Sequence, residues 1–328
     1  MTKIIGIGNA LVDVLTQLEN DELLITLDLP KGSMQLVDAK KSKQIQEQSK
    51  ELKKQMASGG SAANTIHGLA KLGVKTAFIG TVGEDETGDF FHNDLTNNNI
   101  IPLLIKSKSP SGVANAMISK DGERTFGTFL GAAIELSANH INDKQFTDYD
   151  ILHVEGYLVQ NHELLEAILK TAKNNGLKVS IDLASYNVVE DNLSFLKEMV
   201  EKYVDIVFAN EEEAKAFTGL EPEEALNEIS KITDIAIVKV GKKGSMIKQG
   251  DTIVRVDVRE IEPVDTTGAG DIYAAGFLFG LVNNLGFKRA GEIGSLLAST
   301  VIENIGAKIS DENWSSIKKE IDFSTITD

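Results

Sequence analysis

A short glycine-rich stretch ahead of an apolar helical pattern carries the strongest chemical signal in the sequence. It reads Asp265-Thr-Thr-Gly-Ala-Gly-Asp271. The backbone N–H groups of Gly268, Ala269 and Gly270 can turn toward one point, and the positive end of the following helix dipole lies there too. Such a point binds a phosphate. Asp271, in the first turn of that helix, would reach a hydroxyl that approaches the phosphorus and take its proton.

The same stretch could instead be an ordinary helix cap, since Asp, Thr and Gly are common before helices. A cap needs only one such residue, however. Here three small residues stand between two aspartates, and further small residues follow at Ala274, Ala275 and Gly276. The pattern therefore favours an anion-binding loop with a base beside it.

The elements that must position this loop alternate between strand and helix along a chain of 328 residues. Short β-branched or apolar runs predict buried strands at 3–8, 76–82, 151–154, 178–182, 205–209 and 235–240. Amphipathic spacing predicts helices at 62–72, 164–174, 193–202, 211–218 and 222–232, with two more at 270–282 and 288–303. This alternation predicts an α/β fold of βαβ units around a mostly parallel sheet.

Two segments interrupt the alternation. Residues 11–36 and 109–130 contain short strand-like pieces separated by turns, and they predict β-rich excursions from the main sheet. Residues 40–54 are highly charged and predict a solvated surface helix.

The composition limits the function classes. The formal net charge is −16, which argues against nucleic-acid binding because that needs a basic face. An anionic ligand must therefore be held locally, by backbone N–H groups, a few Lys or Arg side chains and a divalent metal. There are no cysteines, no secretory signal pattern and no apolar run of membrane-spanning length, so the expected location is the cytoplasm, away from membranes.

The glycine-rich stretch resembles the C-terminal signature of the ribokinase-like (phosphofructokinase B type) family of ATP-dependent carbohydrate and nucleoside kinases. Ser58-Gly-Gly-Ser-Ala-Ala-Asn64 resembles the N-terminal signature of that family, and Gly8-Asn9-Ala-Leu-Val-Asp13 resembles its opening strand and substrate loop. The resemblance implies a three-layer α/β/α core with a mostly parallel central sheet and a small β-rich lid. The implied core, with the ATP site, is 1–10, 37–108 and 131–328; the implied lid is 11–36 and 109–130.

The resemblance also implies an acceptor site. Asp13 would bind two sugar hydroxyls, and the rest of the implied set is Asn9, Gly59, Gly60, Asn64 and Arg124. Without the resemblance, Gly6-x-Gly8 could suggest a dinucleotide fold, but the third glycine is missing. The glycines at 59 and 60 could be a tightly packed helix start. Arg124 could equally be a solvated turn residue.

The nucleotide and metal sites are implied in the same way. Asn210 and Glu213 match the element for which the resemblance implies a contact to Mg²⁺ and phosphate through water; an acidic first helical turn is the alternative. Lys239, Gly241 and Gly244 match a nucleotide-phosphate turn, although the family usually has Thr where Lys239 stands, and a plain tight turn is the alternative. Asp265 and Thr267, with 306–307, match a region that binds a monovalent cation in many relatives. A true P-loop is absent, which disfavours mononucleotide kinases and GTPases.

We therefore expect a small-molecule kinase that transfers the γ-phosphoryl group of ATP to a primary hydroxyl of a nucleoside, with adenosine as first choice. Lys31-Gly-Ser-Met34 and Glu155-Gly-Tyr157-Leu are among the segments similar to bacterial adenosine or general sugar kinases. Phe126, Phe129 and Tyr157 could stack on a base, but packing of the lid explains them equally well. The alternatives are a ribokinase- or fructokinase-type sugar kinase and a non-catalytic nucleoside or sugar sensor. The expected cofactors are ATP, Mg²⁺ and also K⁺, and the expected state is a monomer or homodimer.

Overall fold

The structure is a computed structural model that describes residues 2–321; residue 1 and residues 322–328, the outer ends of the predicted core, lie outside the described residues. The strands are β1 (Lys3–Ile7), β2 (Leu11–Gln17), β3 (Met34–Leu36), β4 (Lys54–Gly59), β5 (Lys75–Gly83), β6 (Ile100–Ser107), β7 (Gly112–Ile118), β8 (Arg124–Phe129), β9 (Ile151–Glu155), β10 (Lys178–Asp182), β11 (Ile206–Asn210), β12 (Ile235–Lys239), β13 (Ser245–Gln249) and β14 (Thr252–Val256). The helices are α1 (Glu22–Thr26), α2 (Ala39–Gln48), α3 (Ser61–Lys71), α4 (Glu86–Asn97), α5 (His162–Asn174), α6 (Tyr186–Asp191), α7 (Leu193–Tyr203), α8 (Glu211–Thr218), α9 (Pro222–Ile229), α10 (Ala269–Val282), α11 (Gly286–Val301) and α12 (Asp311–Ile321).

Nine strands form the main sheet, in the order β14-β13-β12-β11-β10-β9-β1-β5-β6. The run from β12 to β6 is parallel, and β13 and β14 continue it as an antiparallel edge. Ile4 of β1 packs with α3, α10 and α11, whereas its neighbour Ile5 packs with α5 and α7 on the other face. Alternate residues of a strand point to opposite faces, so each buried strand serves two helical layers. The predicted three-layer α/β/α fold is confirmed.

Helix α10 is buried at every position from 272 to 280. Its small residues allow close packing: a Cβ added to Gly276 would lie 2.7 Å from the Cα of Gly294 in α11, and one on Gly68 of α3 would lie 2.7 Å from the Cβ of Ala275. The small residues at 274–276, counted above toward a functional pattern, therefore serve packing. They fix the start of α10 against α3 and α11.

Five further strands form a second sheet, which we call the lid sheet, in the order β3-β8-β7-β2-β4. Helices α1 and α2 cover one face of it, where Leu24 and Ile45 cluster with Met117. Asp13 pairs in register with Ala57 of β4 and Ala114 of β7. Ala114 lies three residues before Met117 in the same strand, so Asp13 lies on the face opposite to Met117.

One strand of the lid sheet differs from the prediction. Strand β4 lies within the segment 37–108 that was expected to belong to the core, and the helix expected at 40–54 ends at Gln48. Strand β4 begins Lys-Gln-Met-Ala and has little hydrophobic alternation of its own. Its strand conformation comes from antiparallel pairing with β2 over six residue pairs, which the sequence pattern does not reveal. The exact boundary between core and lid stays a prediction.

No helix within residues 2–321 combines the length and the apolar character that a membrane span requires.

Candidate active site

The glycine-rich loop is the start of α10. Gly268 is its N-cap and adopts a left-handed conformation with φ 74°, and α10 begins at Ala269. A Cβ added to Gly268 would lie 2.5 Å from the Cβ of Ala307, so both the backbone angle and the space require glycine. The N–H groups of Gly268, Ala269 and Gly270 thus stand at the positive end of a 14-residue helix, an arrangement suited to an anion.

The Asp271 carboxylate is held by the first turn of α3. Ser61 Oγ donates to Asp271 Oδ1 at 2.7 Å, and Asn64 Nδ2 donates to Asp271 Oδ2 at 3.0 Å. Burial raises the pKa of Asp271, and the two hydrogen bonds oppose this rise. The structure therefore brings the two predicted motifs together at one carboxylate. Ser61 lies inside the 58–64 motif but was not singled out in the sequence.

Asp13 lies beside the glycines that precede α3. A Cβ on Gly59 would lie 2.5 Å from Asp13 Oδ1, so the missing side chain leaves room for the carboxylate. Gly60 is the N-cap of α3 with φ 98°, and a Cβ there would overlap the carbonyl oxygen of Asn9. Burial raises the pKa of Asp13 to about 6, and the positive charge of Lys308 opposes the rise.

Asn9 donates a hydrogen bond to Glu155, which the sequence analysis named only within the segment Glu155-Gly-Tyr157-Leu. Its Nδ2 donates to Glu155 Oε1 at 2.6 Å, and Ala62 N donates to Glu155 Oε2 at 3.2 Å. Glu155 is buried at the end of β9, and burial raises its pKa to about 7. A lone Glu after a strand gives little sequence signal, but here it joins the end of β1 to the start of α3.

Lys239 reaches the anion loop from the end of β12. Its Nζ would lie 2.8 Å from a Cβ placed on Gly270, and it forms an ion pair with Asp182 Oδ2 at 2.9 Å. Burial alone would lower the pKa of Lys239, but the carboxylates of Asp182 and Glu213 outweigh burial and raise it. The lysine is therefore a fixed positive charge beside the loop. Asp182, which holds it there, was missed in the sequence except as the end of a strand.

Asn210 and Glu213 form a capping box at the start of α8. The Asn210 N and Nδ2 groups donate to the two Glu213 oxygens, and Glu213 N donates back to Asn210 Oδ1, each at 2.8 Å. Burial raises the pKa of Glu213 to about 7, and the charge of Asp182 adds to the rise. Glu213 therefore also caps the first turn of α8, which is the role that the acidic-turn alternative gives it. Each carboxylate oxygen keeps a lone pair for a water ligand, so the pair fits a water-mediated Mg²⁺ contact.

The turn after β12 has two glycines with positive φ, 52° at Gly241 and 87° at Gly244. A Cβ on Gly241 would meet open space, whereas one on Gly244 would overlap the carbonyl oxygen of Val256. Both glycines line the cavity described below. Gly244 is therefore required by packing, and Gly241 by its backbone angle.

The Arg124 side chain is mostly buried and is not a solvated turn residue. Its Nη2 forms an ion pair with Asp265 Oδ1 at 2.5 Å, which joins the lid sheet to the loop before α10. Asp265 also accepts from Thr267 N at 2.7 Å and Gly306 N at 2.6 Å, and its side chain has no exposed surface. Two backbone N–H donors and the Arg124 guanidinium therefore contact the carboxylate that the resemblance implies for K⁺.

One cavity of about 1150 Å³ borders many of these groups, although Asn9, Arg124 and Asp265 are not in its wall. Asp13, Asn64 and Asp271 line one part of it, and Asn210 and Lys239 line another, with the loop at Gly268 also in its wall. This volume is large enough for a nucleotide and a small second molecule. Among residues 2–321, no group of three or more His, Cys, Asp or Glu side chains could form a metal cage, which fits a metal held mainly by a ligand's phosphates.

Comparisons with known proteins agree on the kind of chemistry. Residues 32–314 match the model described as pfkB family carbohydrate kinase. A solved structure of a probable sugar kinase protein from Rhizobium etli CFN 42 is 32% identical, covers 98% of this chain and 99% of that chain, and has a TM-score of 0.85. The adenosine kinase from Sinorhizobium meliloti is 30% identical, with 97% and 99% coverage and a TM-score of 0.85.

A sequence relative carries a different name. The 5-dehydro-2-deoxygluconokinase of Geobacillus kaustophilus (strain HTA426) is 31% identical over 266 residues, which are 75% of this chain and 79% of the relative. The names of the relatives thus share the word kinase and differ in the acceptor.

Proposed function

The chain belongs to the pfkB family of carbohydrate kinases and is a phosphotransferase; from this premise we propose that it transfers the γ-phosphoryl group of ATP to a primary hydroxyl of a nucleoside, with adenosine as the first candidate. The observation that carries the proposal is the position of the Asp271 carboxylate. It stands at the anion loop, is held by Ser61 and Asn64, and shares one cavity with Asp13.

In the proposed reaction, Asp13 binds sugar hydroxyls of the acceptor and directs its primary hydroxyl toward the start of α10. Asp271 accepts the proton of that hydroxyl as the oxygen attacks the γ-phosphorus, and the bond from the γ-phosphorus to the bridging oxygen breaks so that ADP leaves. The N–H groups of 268–270 and the charge of Lys239 stabilise the negative charge on the phosphoryl oxygens. Mg²⁺, which pfkB kinases usually use with ATP, would be held through water by Asn210 and Glu213 and would neutralise phosphate charge.

The lid sheet supports a nucleoside over a simple sugar. The strand register places Asp13, Ala114, Thr128 and Leu36 on one face, and Met34 and Phe126 share this face one pair further along. Met34 and Leu36 are 65% and 67% exposed. An apolar surface on the same face as a carboxylate that binds hydroxyls suits a ligand with a sugar and a flat base. A free pentose or hexose is smaller and has less apolar surface to cover it.

The test is ADP release measured with adenosine, inosine, guanosine, ribose, fructose and fructose phosphates as acceptors. We expect turnover with a nucleoside. Turnover with sugars alone would reject the nucleoside proposal in favour of a sugar kinase. An absence of turnover with every acceptor, together with measurable binding of a nucleoside, would favour a sensor.

A further inference from the structure

A positive charge already lies against the loop before α10, namely the guanidinium of Arg124. The contact with Asp265 is made by a side chain that crosses from β8 of the lid sheet, and the Arg124 side chain is only 16% exposed. Arg124 also lies over the ring of Phe126, with 5.3 Å between the guanidinium carbon and the ring centroid. Both the ion pair and the ring contact hold the positive charge in place.

Protein groups take up most of the lone pairs of the oxygens around this charge. Asp265 Oδ1 accepts from Arg124 and from Thr267 N, and Asp265 Oδ2 accepts from Gly306 N. The nearby carbonyl oxygen of Ile302 accepts from both Val264 N at 2.8 Å and Asp265 N at 3.1 Å. A bound cation needs several oxygens with free lone pairs, and these two groups offer few.

A second positive side chain follows in the same segment. Lys308 Nζ is buried and has no hydrogen-bond partner among the described residues. Burial lowers the pKa of Lys308 to about 8, and the carboxylates of Asp94 and Asp13 oppose this lowering. Lys308 follows Gly306, whose N–H donates to Asp265, by two residues, so it adds positive charge to the segment that would border a bound K⁺.

We infer that the guanidinium of Arg124 takes the place of the monovalent cation that the resemblance implies, so that this kinase neither binds K⁺ at the loop before α10 nor needs it for turnover. The statement about turnover rests on the proposed function. The statement about binding does not, because it concerns only the folded protein.

The binding test compares the thermal unfolding midpoint in KCl, NaCl and tetramethylammonium chloride at equal ionic strength. We expect the same midpoint in all three salts for the unaltered protein, because a ligand raises the midpoint only when the native state binds it. A higher midpoint in KCl that saturates with concentration would overturn the inference. This arm requires no acceptor, so it gives an answer even where the proposed function fails.

Removal of the guanidinium provides the matched variant. Arg124→Met leaves Asp265 without its cation, and we expect K⁺ to raise the unfolding midpoint of this variant. Arg255→Met, which removes an exposed arginine paired with Glu223, should show no K⁺ response. If Arg124→Met folds and K⁺ leaves its unfolding midpoint unchanged, the inference that Arg124 takes the place of K⁺ is contradicted. If Arg124→Met does not fold, the same comparison is made with Arg124→Gln.

The kinetic test uses the nucleoside that is turned over, with and without K⁺ in tetramethylammonium buffer. We expect equal kcat and equal KM in the two buffers. Activation by K⁺ that saturates would overturn the inference. A preparation that turns over no acceptor would count against the proposed function and would leave the thermal comparison to decide on the cation.

Discussion

Ser61 donates a hydrogen bond to the carboxylate of Asp271 over 2.7 Å, which ties the first turn of α3 to the first turn of α10. The two residues are 210 positions apart in sequence. Both helices start at glycines with positive φ, Gly60 and Gly268, so neither helix start is closed by a capping side chain of its own. The positive ends of both helices therefore point toward one carboxylate, although Ala62 N already donates to Glu155 and Ala269 N to the carbonyl oxygen of Thr266.

Replacement of Asp271 by Ala should lower kcat on the order of 10²-fold or more, the scale of a positioned general base. The fold and ATP binding should be retained, because only two side-chain hydrogen bonds are lost. Steady-state kinetics and nucleotide titration measure the two effects. Asp311→Ala is the control, since that exposed carboxylate pairs only with Lys71 on the surface. Near-normal turnover in Asp271→Ala would refute the assignment of the base.

Replacement of Ser61 by Ala should move the acidic limb of the kcat profile upward by about one pH unit, equivalent to ~1.4 kcal/mol. The hydroxyl stabilises the ionised form of Asp271, so its loss raises the pKa of that carboxyl further. Ser315→Ala removes an exposed hydroxyl bonded within α12 and should leave the profile unchanged. An identical acidic limb in Ser61→Ala would show that Asp271 does not control it.

Replacement of Lys239 by Met should lower kcat/KM for ATP by about 10- to 100-fold, as expected for loss of a charge-assisted hydrogen bond to phosphate. Lys239→Thr restores the residue that the family usually has, and it should lose less because Thr keeps a donor. Lys231→Met removes an exposed charge that pairs with Glu228 outside the cavity, and it serves as control. Equal kinetics for the Met variant and the unaltered enzyme would remove Lys239 from the phosphate site.

Alanine at Gly268 and at Gly270 should have different effects. At Gly268 the positive φ and the Cβ of Ala307 at 2.5 Å both oppose a side chain, so we expect a loss of about 1–3 kcal/mol in the free energy of unfolding. At Gly270 the φ angle is not positive and the nearest atom is Nζ at the end of the Lys239 side chain, so the stability loss should be smaller while kcat/KM for ATP falls. Urea denaturation and kinetics separate the two. Equal stability losses would contradict this account of the loop.

The six parallel strands and seven helices of the core that were predicted could be recognised because each strand is a short apolar run and most of the helices have a regular apolar face. The sheet strands β6, β13 and β14 and the helices α4 and α12 were not predicted. Asp271, Asp13 and Lys239 could be located because they stand next to glycines or strand ends that mark the site. Strand β4 could not be predicted, since its conformation comes from pairing with β2. Short elements such as β3 and α1 gave no periodic signal of their own.

The contacts between distant side chains were the part that the sequence could not supply. Arg124 and Asp265 lie 141 positions apart (265 − 124), one in β8 of the lid sheet and the other in the loop before α10. Nothing in their spacing indicates that they form an ion pair. For the same reason Asp182 and Glu155 appeared only as the last residues of strands, although one holds Lys239 and the other holds Asn9. Parallel strands bring such residues to one edge only once the strand order is known.

Glu155 should make the protein less stable as the pH rises from about 4.5 to about 7. Burial raises its pKa in the folded state to about 7, against 4.5 for an ordinary Glu. Between these values the folded protein holds a proton that the unfolded chain releases. The free energy of unfolding therefore falls as the pH rises across this window, with a contribution on the order of 3 kcal/mol.

Glu155→Gln removes this titration and should flatten the dependence of unfolding free energy on pH between about 4.5 and 7. Asp13 and Glu213, whose pKa values are raised in the same direction, still contribute, so the quantity to measure is the difference between variant and unaltered protein. Urea denaturation at several pH values gives it, with the exposed Glu166→Gln as control. Parallel curves for Glu155→Gln and the unaltered protein would mean that the carboxyl stays ionised across the window, held by Asn9 and Ala62 N.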